Sequence, residues 1–111
     1  MQNQIMILKI TEAQIQKTVI AYLSHRKDVY FARVGSGMIS TETGNCFRSG
    51  RRGCPDILLC HKGKFIGFEI KSKIGIQGGD QKIAEEDIKK AGGEYYIIRS
   101  LDDAIKILGG K

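Results

Sequence analysis

The stretch from Asp56 to Lys71 constrains this chain more than any other. Two runs rich in β-branched, leucine and aromatic residues, Asp56–His61 and Phe65–Lys71, flank Lys62-Gly63, which reads as a two-residue hairpin turn. With such a turn His61 pairs with Lys64, and Asp56 falls directly opposite Glu69. Alternation then sets Lys71 on the face of Glu69 and turns Ile66, Phe68 and Ile70 the other way, into a core. A three-residue turn would shift the register by one.

Cross-strand neighbours stand about 5 Å apart at their Cβ atoms. Two carboxylates and one lysine therefore gather at one sheet edge. Carboxylates this close repel and need a compensating cation. Lys71 alone can compensate, which gives an ion-paired trio on an exposed face. A hard divalent metal is the alternative, because Mg²⁺ takes oxygen ligands, commonly one or two carboxylates plus water. A metal so held turns water into a nucleophile and neutralises charge that builds on a phosphodiester.

The rest of the chain supplies elements to pack against this hairpin. Residues 1–10 read as a short strand or an arm. Thr11 and Gln14 have capping-box spacing, and Ile15, Val19, Tyr22 and Leu23 share one face of a helix that ends near His25. His25 suits the dipole at that helix end better than a catalytic role. Val29–Val34 reads as a strand. Residues 35–53 hold five glycines and little periodicity, and read as a long loop, which in a small domain is usually functional or disordered. Residues 72–80 form a second glycine-rich loop.

Asp80 is placed to cap a helix over Gln81–Ala91, with Ile83, Ala84, Ile88 and Ala91 as its stripe and Gly92-Gly93 as its stop. Tyr95–Arg99 reads as a strand. Ser100 caps a last helix with Leu101, Ala104, Ile105 and Leu108 inward, stopped by Gly109. A mostly antiparallel sheet with helices packed against it is the economical fold for this order.

At 111 residues, with 41% apolar and 27% charged residues, the chain is expected to form one domain with a modest core, spanning 11–111 after the arm. No apolar run is long enough to span a bilayer, and Lys9 and Glu12 break any secretory core, so no membrane partner is expected. The three cysteines have no paired spacing, which predicts a reduced, cytoplasmic protein. Zinc at Cys46, Cys54, Cys60 and His61 is not expected either. No C-x-x-C pair is present, and Cys60 and His61 fall on opposite sides of a strand. Charge is uneven: residues 33–73 hold eight of the eighteen basic residues but three of the twelve acids. A basic middle suits an anionic partner such as a nucleic acid backbone, or simply forms a solvated face.

Gly53-Cys54-Pro55-Asp56 followed by Glu69-Ile70-Lys71 resembles the PD-(D/E)xK nuclease motif. The finer resemblance is to the VRR-NUC (virus-type replication-repair nuclease) group. Its helical Glu, G-x-P-D, E-x-K and helix-opening Gln match Glu12, Gly53/Pro55/Asp56, Glu69/Lys71 and Gln81, in order, and Arg33–Gly37 resembles its lead-in. The likeness covers residues 11–100. It implies an α/β (α+β) fold with a restriction-endonuclease-like αβββαβ core, in which a mixed, mostly antiparallel sheet is flanked by helices.

It also implies that Asp56, Glu69 and the main-chain carbonyl of Ile70 ligate Mg²⁺ or Mn²⁺, with Glu12 as an auxiliary ligand directly or through water. Lys71 would orient or deprotonate the attacking water, and Gln81 would position the lysine or a phosphate. Glu12 equally suits the charge of its helix N-terminus, and Gln81 equally suits a plain position just after a helix cap. Arg33, Arg48, Arg51, Arg52 and Lys73 are the candidate phosphate contacts, since arginine matches phosphate geometry. With Phe47 as the one aromatic in the basic run, duplex or branched DNA suits better than stacked single strands. Stand-alone, virus-borne members resemble Holliday-junction resolvases and act as homodimers. That implies paired cuts on a four-way junction, with the arm at Ile5–Ile10 as a dimer contact. A nicking or flap nuclease, and a non-catalytic basic DNA-binding module, are the alternatives. No segment resembles the target-recognition domain of a restriction enzyme.

Overall fold

Thr11 opens the first helix as its capping-box residue: its N–H donates to Gln14 Oε1 at 2.8 Å, and Gln14 N–H donates to Thr11 Oγ1 at 3.2 Å. The computed structural model describes residues 10–34, 38–40, 46–48 and 51–110. Helix α1, Glu12–Ser24, buries Ile15, Val19 and Leu23, the face expected from their spacing, and is capped by His25. Most of the expected arm, residues 1–9, lies outside the described residues.

Strand β1 (Val29–Arg33) pairs antiparallel with β4 (Ile57–His61), which pairs antiparallel with β5 (Lys64–Ile70). The hairpin turn is Lys62-Gly63, with φ of 54° and 80°, the left-handed pair of a two-residue turn that matches strand twist. Its register joins His61 to Lys64 and Ile57 to Phe68, so the next step brings Asp56 opposite Glu69. Strand β6 (Glu94–Ile98) lies parallel to β5, reached through the crossover helix α2 (Gly79–Lys90), and the sheet order is β1-β4-β5-β6. Helix α3, Leu101–Leu108, follows Ser100, whose Oγ accepts from Asp103 N–H, and stops at Gly109 with φ of 83°.

Three expectations change. Residues 35–53 are not one irregular loop, because β2 (Met38–Ser40) and β3 (Cys46–Arg48) pair antiparallel as a separate hairpin. Three residues a strand are too few for alternation to show. Asp80 is not the cap of α2: Gly78 is, and Gln81 turns back so that its Oε1 accepts from Gly78 N–H at 2.8 Å. Two glycines allow the helix to start before the acid. Its packed face centres on Ala84, so Ile83, 56% exposed, and Ala91, also exposed, are not inward as expected.

The third change concerns β5. Ile66, Phe68 and Ile70 enter the main core with α1 and α3, yet Gly67 and Glu69 between them are buried as well. Helix α2 covers that second face. A Cβ at Gly67 would stand 2.7 Å from Pro55 Cγ and 3.5 Å from Ile88 Cδ1, so only glycine lets α2 and Pro55 close on the sheet. The hairpin is thus buried on both faces at its open end, where its carboxylates lie.

Candidate active site

Asp56 precedes β4 and is held at both ends of its reach. Its carbonyl accepts from Val34 N–H at 2.8 Å, fixing it to the end of β1. Its carboxylate Oδ2 accepts from Ile70 N–H at 2.8 Å, fixing it to β5. Since a strand residue turns its N–H and C=O to the same edge, the Ile70 carbonyl faces the Asp56 side. Lys71 N–H donates instead to Ile98 O at 3.0 Å, toward β6.

Glu69 is 3% exposed. Its Oε2 accepts from Gln81 Nε2 at 2.6 Å and stands 3.7 Å from Lys71 Nζ. Its Oε1 is buried and has no hydrogen-bond partner among the described residues. A buried carboxylate oxygen without a partner is costly. Burial, then the neighbouring Asp56 charge, push the Glu69 carboxyl up to about 7 against the opposing pull of Lys71. Burial also raises Asp56, against the Ile70 N–H that favours its charged form.

These groups line a cleft of about 410 Å³ with Arg52, Cys54, Ile76 and the first turn of α2. Gly53 keeps φ of 78° and packs directly on the Asp80 carbonyl, so a side chain there has no room. This contact explains why the Gly-x-Pro-Asp segment meets the start of α2. Burial and the Glu69 and Asp56 charges push the Cys54 thiol up, which keeps it protonated and a poor nucleophile.

The donor set suits a hard cation. Two carboxylates, one with an unpaired buried oxygen, and a main-chain carbonyl on the same edge are the oxygen donors Mg²⁺ takes alongside water. Among the described residues no three His, Cys, Asp or Glu side chains form a ready-made ligand cluster. Glu12 stands next to the carboxylate pair, held by a bond to the following segment. Its Oε2 accepts from Ser72 N–H at 3.2 Å, tying α1 to the segment just past Lys71, and its charge acts on Asp56 and Glu69 from there. Gln81 grips Glu69 rather than Lys71.

The candidate phosphate contacts separate. Arg52 lines the cleft and pairs with Asp80 at 3.4 Å. Arg33 is beside it, its Nε 3.4 Å from Gln16 Oε1 and its charge favouring ionised Asp56. Lys73 is exposed on the turn that closes with Gly75 N–H donating to Ser72 O at 3.1 Å. Arg51 instead pairs with Asp87 of α2 at 2.7 Å, at the mouth of a second, apolar cleft lined by Leu58, Phe65 and Ile88. Arg48 is on β3, and its side chain lies outside the described residues. His61 is engaged with Asp28, 3.1 Å from its Nε2.

The sequence reading missed Arg99. One of its nitrogens donates to Ser72 O at 2.7 Å, Gly75 O at 2.8 Å and Lys73 O at 3.3 Å, so the segment after Lys71 is clamped through its backbone. Gln77 was also missed: its Nε2 donates to Glu85 Oε1 and to Tyr95 OH, both at 3.0 Å. Contacts to main-chain carbonyls leave no pattern in side-chain types. The remaining signal is that Arg99 directly follows the strand parallel to the E-x-K strand.

No family model matches this sequence, and no curated protein matches it. Among solved structures, one described as "VRR_NUC domain" aligns with a TM-score of 0.62 over 88% of this chain and 95% of its own, at 20% identity. Another, "VRR_NUC domain protein", aligns with a TM-score of 0.62 over 90% of this chain and 86% of its own, at 18% identity. The chain has the VRR_NUC domain fold, an α+β fold with a mixed four-stranded sheet, consistent with a restriction-endonuclease-like core.

Proposed function

We propose that this protein is a Mg²⁺-dependent, structure-selective DNA endonuclease that resolves four-way junctions as a homodimer. The observation that carries the proposal is the buried Glu69 carboxylate, with one oxygen unpaired, beside Asp56 and Lys71 in an open cleft. The sequence resemblance and the shared fold support the same reading. Asp56, Glu69 and the Ile70 carbonyl would hold Mg²⁺ or Mn²⁺. When bound, the ion supplies a Lewis acid for the phosphodiester and lowers the pKa of its water.

The chain's own residues do the rest. Gln81 fixes the rotamer of Glu69 through the 2.6 Å hydrogen bond, and Ile70 N–H fixes Asp56. Lys71, 14% exposed, has one side toward Glu69 and the other toward the cleft, where it orients the attacking water and the scissile phosphate. Arg52 in the cleft lining, Arg33 whose charge reaches Asp56, and exposed Lys73 two residues past Lys71 supply positive charge for flanking phosphates. A near-twofold junction calls for two such sites, which a C2 dimer provides. The test is cleavage of end-labelled four-way junction, flap and linear duplex with Mg²⁺, Mn²⁺ or EDTA, beside Asp56→Ala. Paired metal-dependent cuts on the junction, absent in Asp56→Ala, are the expected result. Cutting retained by Asp56→Ala would overturn the site. Flap cuts or single nicks would move the substrate to replication-repair intermediates, and tight binding without any cutting would leave a DNA-binding module.

A further inference from the structure

The segment between β5 and α2 carries two isoleucines in an unusual setting. Ile74 is 84% exposed and Ile76 is 82% exposed, more than any other large apolar side chain among the described residues. They are two residues apart on a segment that is held from three directions. Arg99 grips its carbonyls at Ser72, Lys73 and Gly75, Glu12 takes Ser72 N–H, and Gln77 anchors its far end to Glu85 and Tyr95. Gly75 lies close against both carboxylate and lysine: a Cβ there would stand 3.2 Å from Glu12 Oε2 and 3.3 Å from Lys71 Cδ. The backbone under the isoleucines is thus fixed directly after Lys71 of the candidate active site.

We propose that Ile74 and Ile76 form an apolar wedge that packs against the exposed base-pair face at a DNA branch point and thereby selects branched over continuous duplex. This rests on the nuclease reading above and adds how that site chooses its substrate. Ile76 lines the cleft together with Lys71, and exposed Lys73 directly precedes Ile74, so positive charge adjoins the isoleucines on one side. A DNA backbone drawn across the cleft by those charges brings its bases over the isoleucines. Apolar side chains presented in this way unstack or cap base steps, and a junction offers an already unstacked face at little cost. Continuous duplex must be kinked first. A subunit contact is a poorer fit, since two side chains bury far less than the roughly 800 Å² per partner of a stable interface.

The test compares the wild-type protein, Ile74→Ser/Ile76→Ser and Ile74→Leu/Ile76→Leu on a four-way junction and on linear duplex of the same sequence. Both positions are exposed, so the melting temperature is expected to hold in both variants. The ratio of junction to linear cutting should fall about tenfold in the serine variant and return in the leucine variant. The fluorescence of a 2-aminopurine at the branch point should change on binding in the Asp56→Asn background, and that change should vanish when the serines are added. A ratio and a fluorescence response both unaltered by the serines, in a protein that cuts, would overturn the wedge and leave the nuclease reading standing. So would a smaller assembly of the serine variant in light scattering, which would make the pair a subunit contact. A wild-type protein that cuts no DNA with any divalent metal would instead remove the nuclease reading, and the wedge with it.

Discussion

The β4–β5 hairpin has a charged cluster near each end, and the two are built on opposite terms. Near the turn, Asp28 is saturated. Arg26 donates to both its oxygens at 2.8 and 2.6 Å, and His61 stands 3.1 Å away. Arg26 goes on to Tyr22 OH at 2.6 Å and Leu108 O at 3.2 Å, so this cluster joins α1, α3 and the sheet. The Arg26 guanidinium holds the Asp28 carboxyl well below the usual carboxylate range. At the open end, Glu69 is more deeply buried, has one amide and one distant lysine as partners, and is pushed up to about 7. One strand pair thus carries a cluster whose charges stabilise the fold and another whose charges are kept short of partners. Polar groups left unsatisfied in a well-satisfied protein mark where binding is expected to supply what is missing.

The sharpest way to break this contrast is to neutralise each end. Glu69→Gln is expected to lower cleavage about 10³-fold, the loss of several kcal/mol of charge stabilisation at the phosphate. Its metal-free melting temperature should hold or rise, because the variant no longer buries a charge that burial disfavours. Asp28→Asn should do the reverse, lowering the melting temperature while leaving the cutting rate per folded molecule. Thermal melts beside a cleavage assay decide it: a Glu69→Gln protein that melts early and cuts normally would erase the distinction.

Gly53→Ala tests the contact that brings the Gly-x-Pro-Asp segment to α2. A left-handed φ and a collision with the Asp80 carbonyl should together cost about 3–4 kcal/mol in urea unfolding. A loss below 1 kcal/mol would mean that the segment yields easily.

The pH dependence separates the ends without mutation. Glu69 titrates near 7 in the fold against an ordinary 4.5, so the folded state binds the extra proton between those values. Metal-free stability should therefore fall as pH rises from about 4.5 to about 7, by at most about 3 kcal/mol, and then level off. Asp28 is depressed from 3.8, so its contribution is present above that value and lost as pH falls below it. Saturating Mg²⁺ should flatten the neutral limb and leave the acid limb alone. A neutral limb indifferent to Mg²⁺ would assign it to another group. The smallest effect is at the turn. Lys62→Asn, which tolerates the left-handed φ of 54° better, should add about 0.5 kcal/mol and change no cutting.

What the sequence made legible follows how local each signal is. The Lys62-Gly63 turn sets the register that aligns Asp56 with Glu69, and the Thr11–Gln14 and Ser100 caps mark their helices, because each depends on residues within a few positions. The start of α2 was misread because Asp80 is a good cap in isolation, whereas tertiary packing against Gly53 and Arg52 draws it into the first turn. Burial of both faces of β5 could not be read from alternation, since Gly67 marks a close approach only once Pro55 and Ile88 are known to meet there. Of the basic residues, charge count grouped Arg51 with Arg52, though adjacent positions point to different clefts.

The Arg99 clamp has a consequence in time. Hairpin contacts between neighbouring segments form early, whereas pairing β6 beside β5 waits for a long loop to close. Asp56, Glu69 and Lys71 are all in the chain well before Arg99 is translated, but the backbone that carries Lys71 onward is not gripped until it arrives. A nascent polypeptide that has not yet reached Arg99 thus has the acidic pair without the brace behind it, and competence waits for the end of the strand parallel to β5.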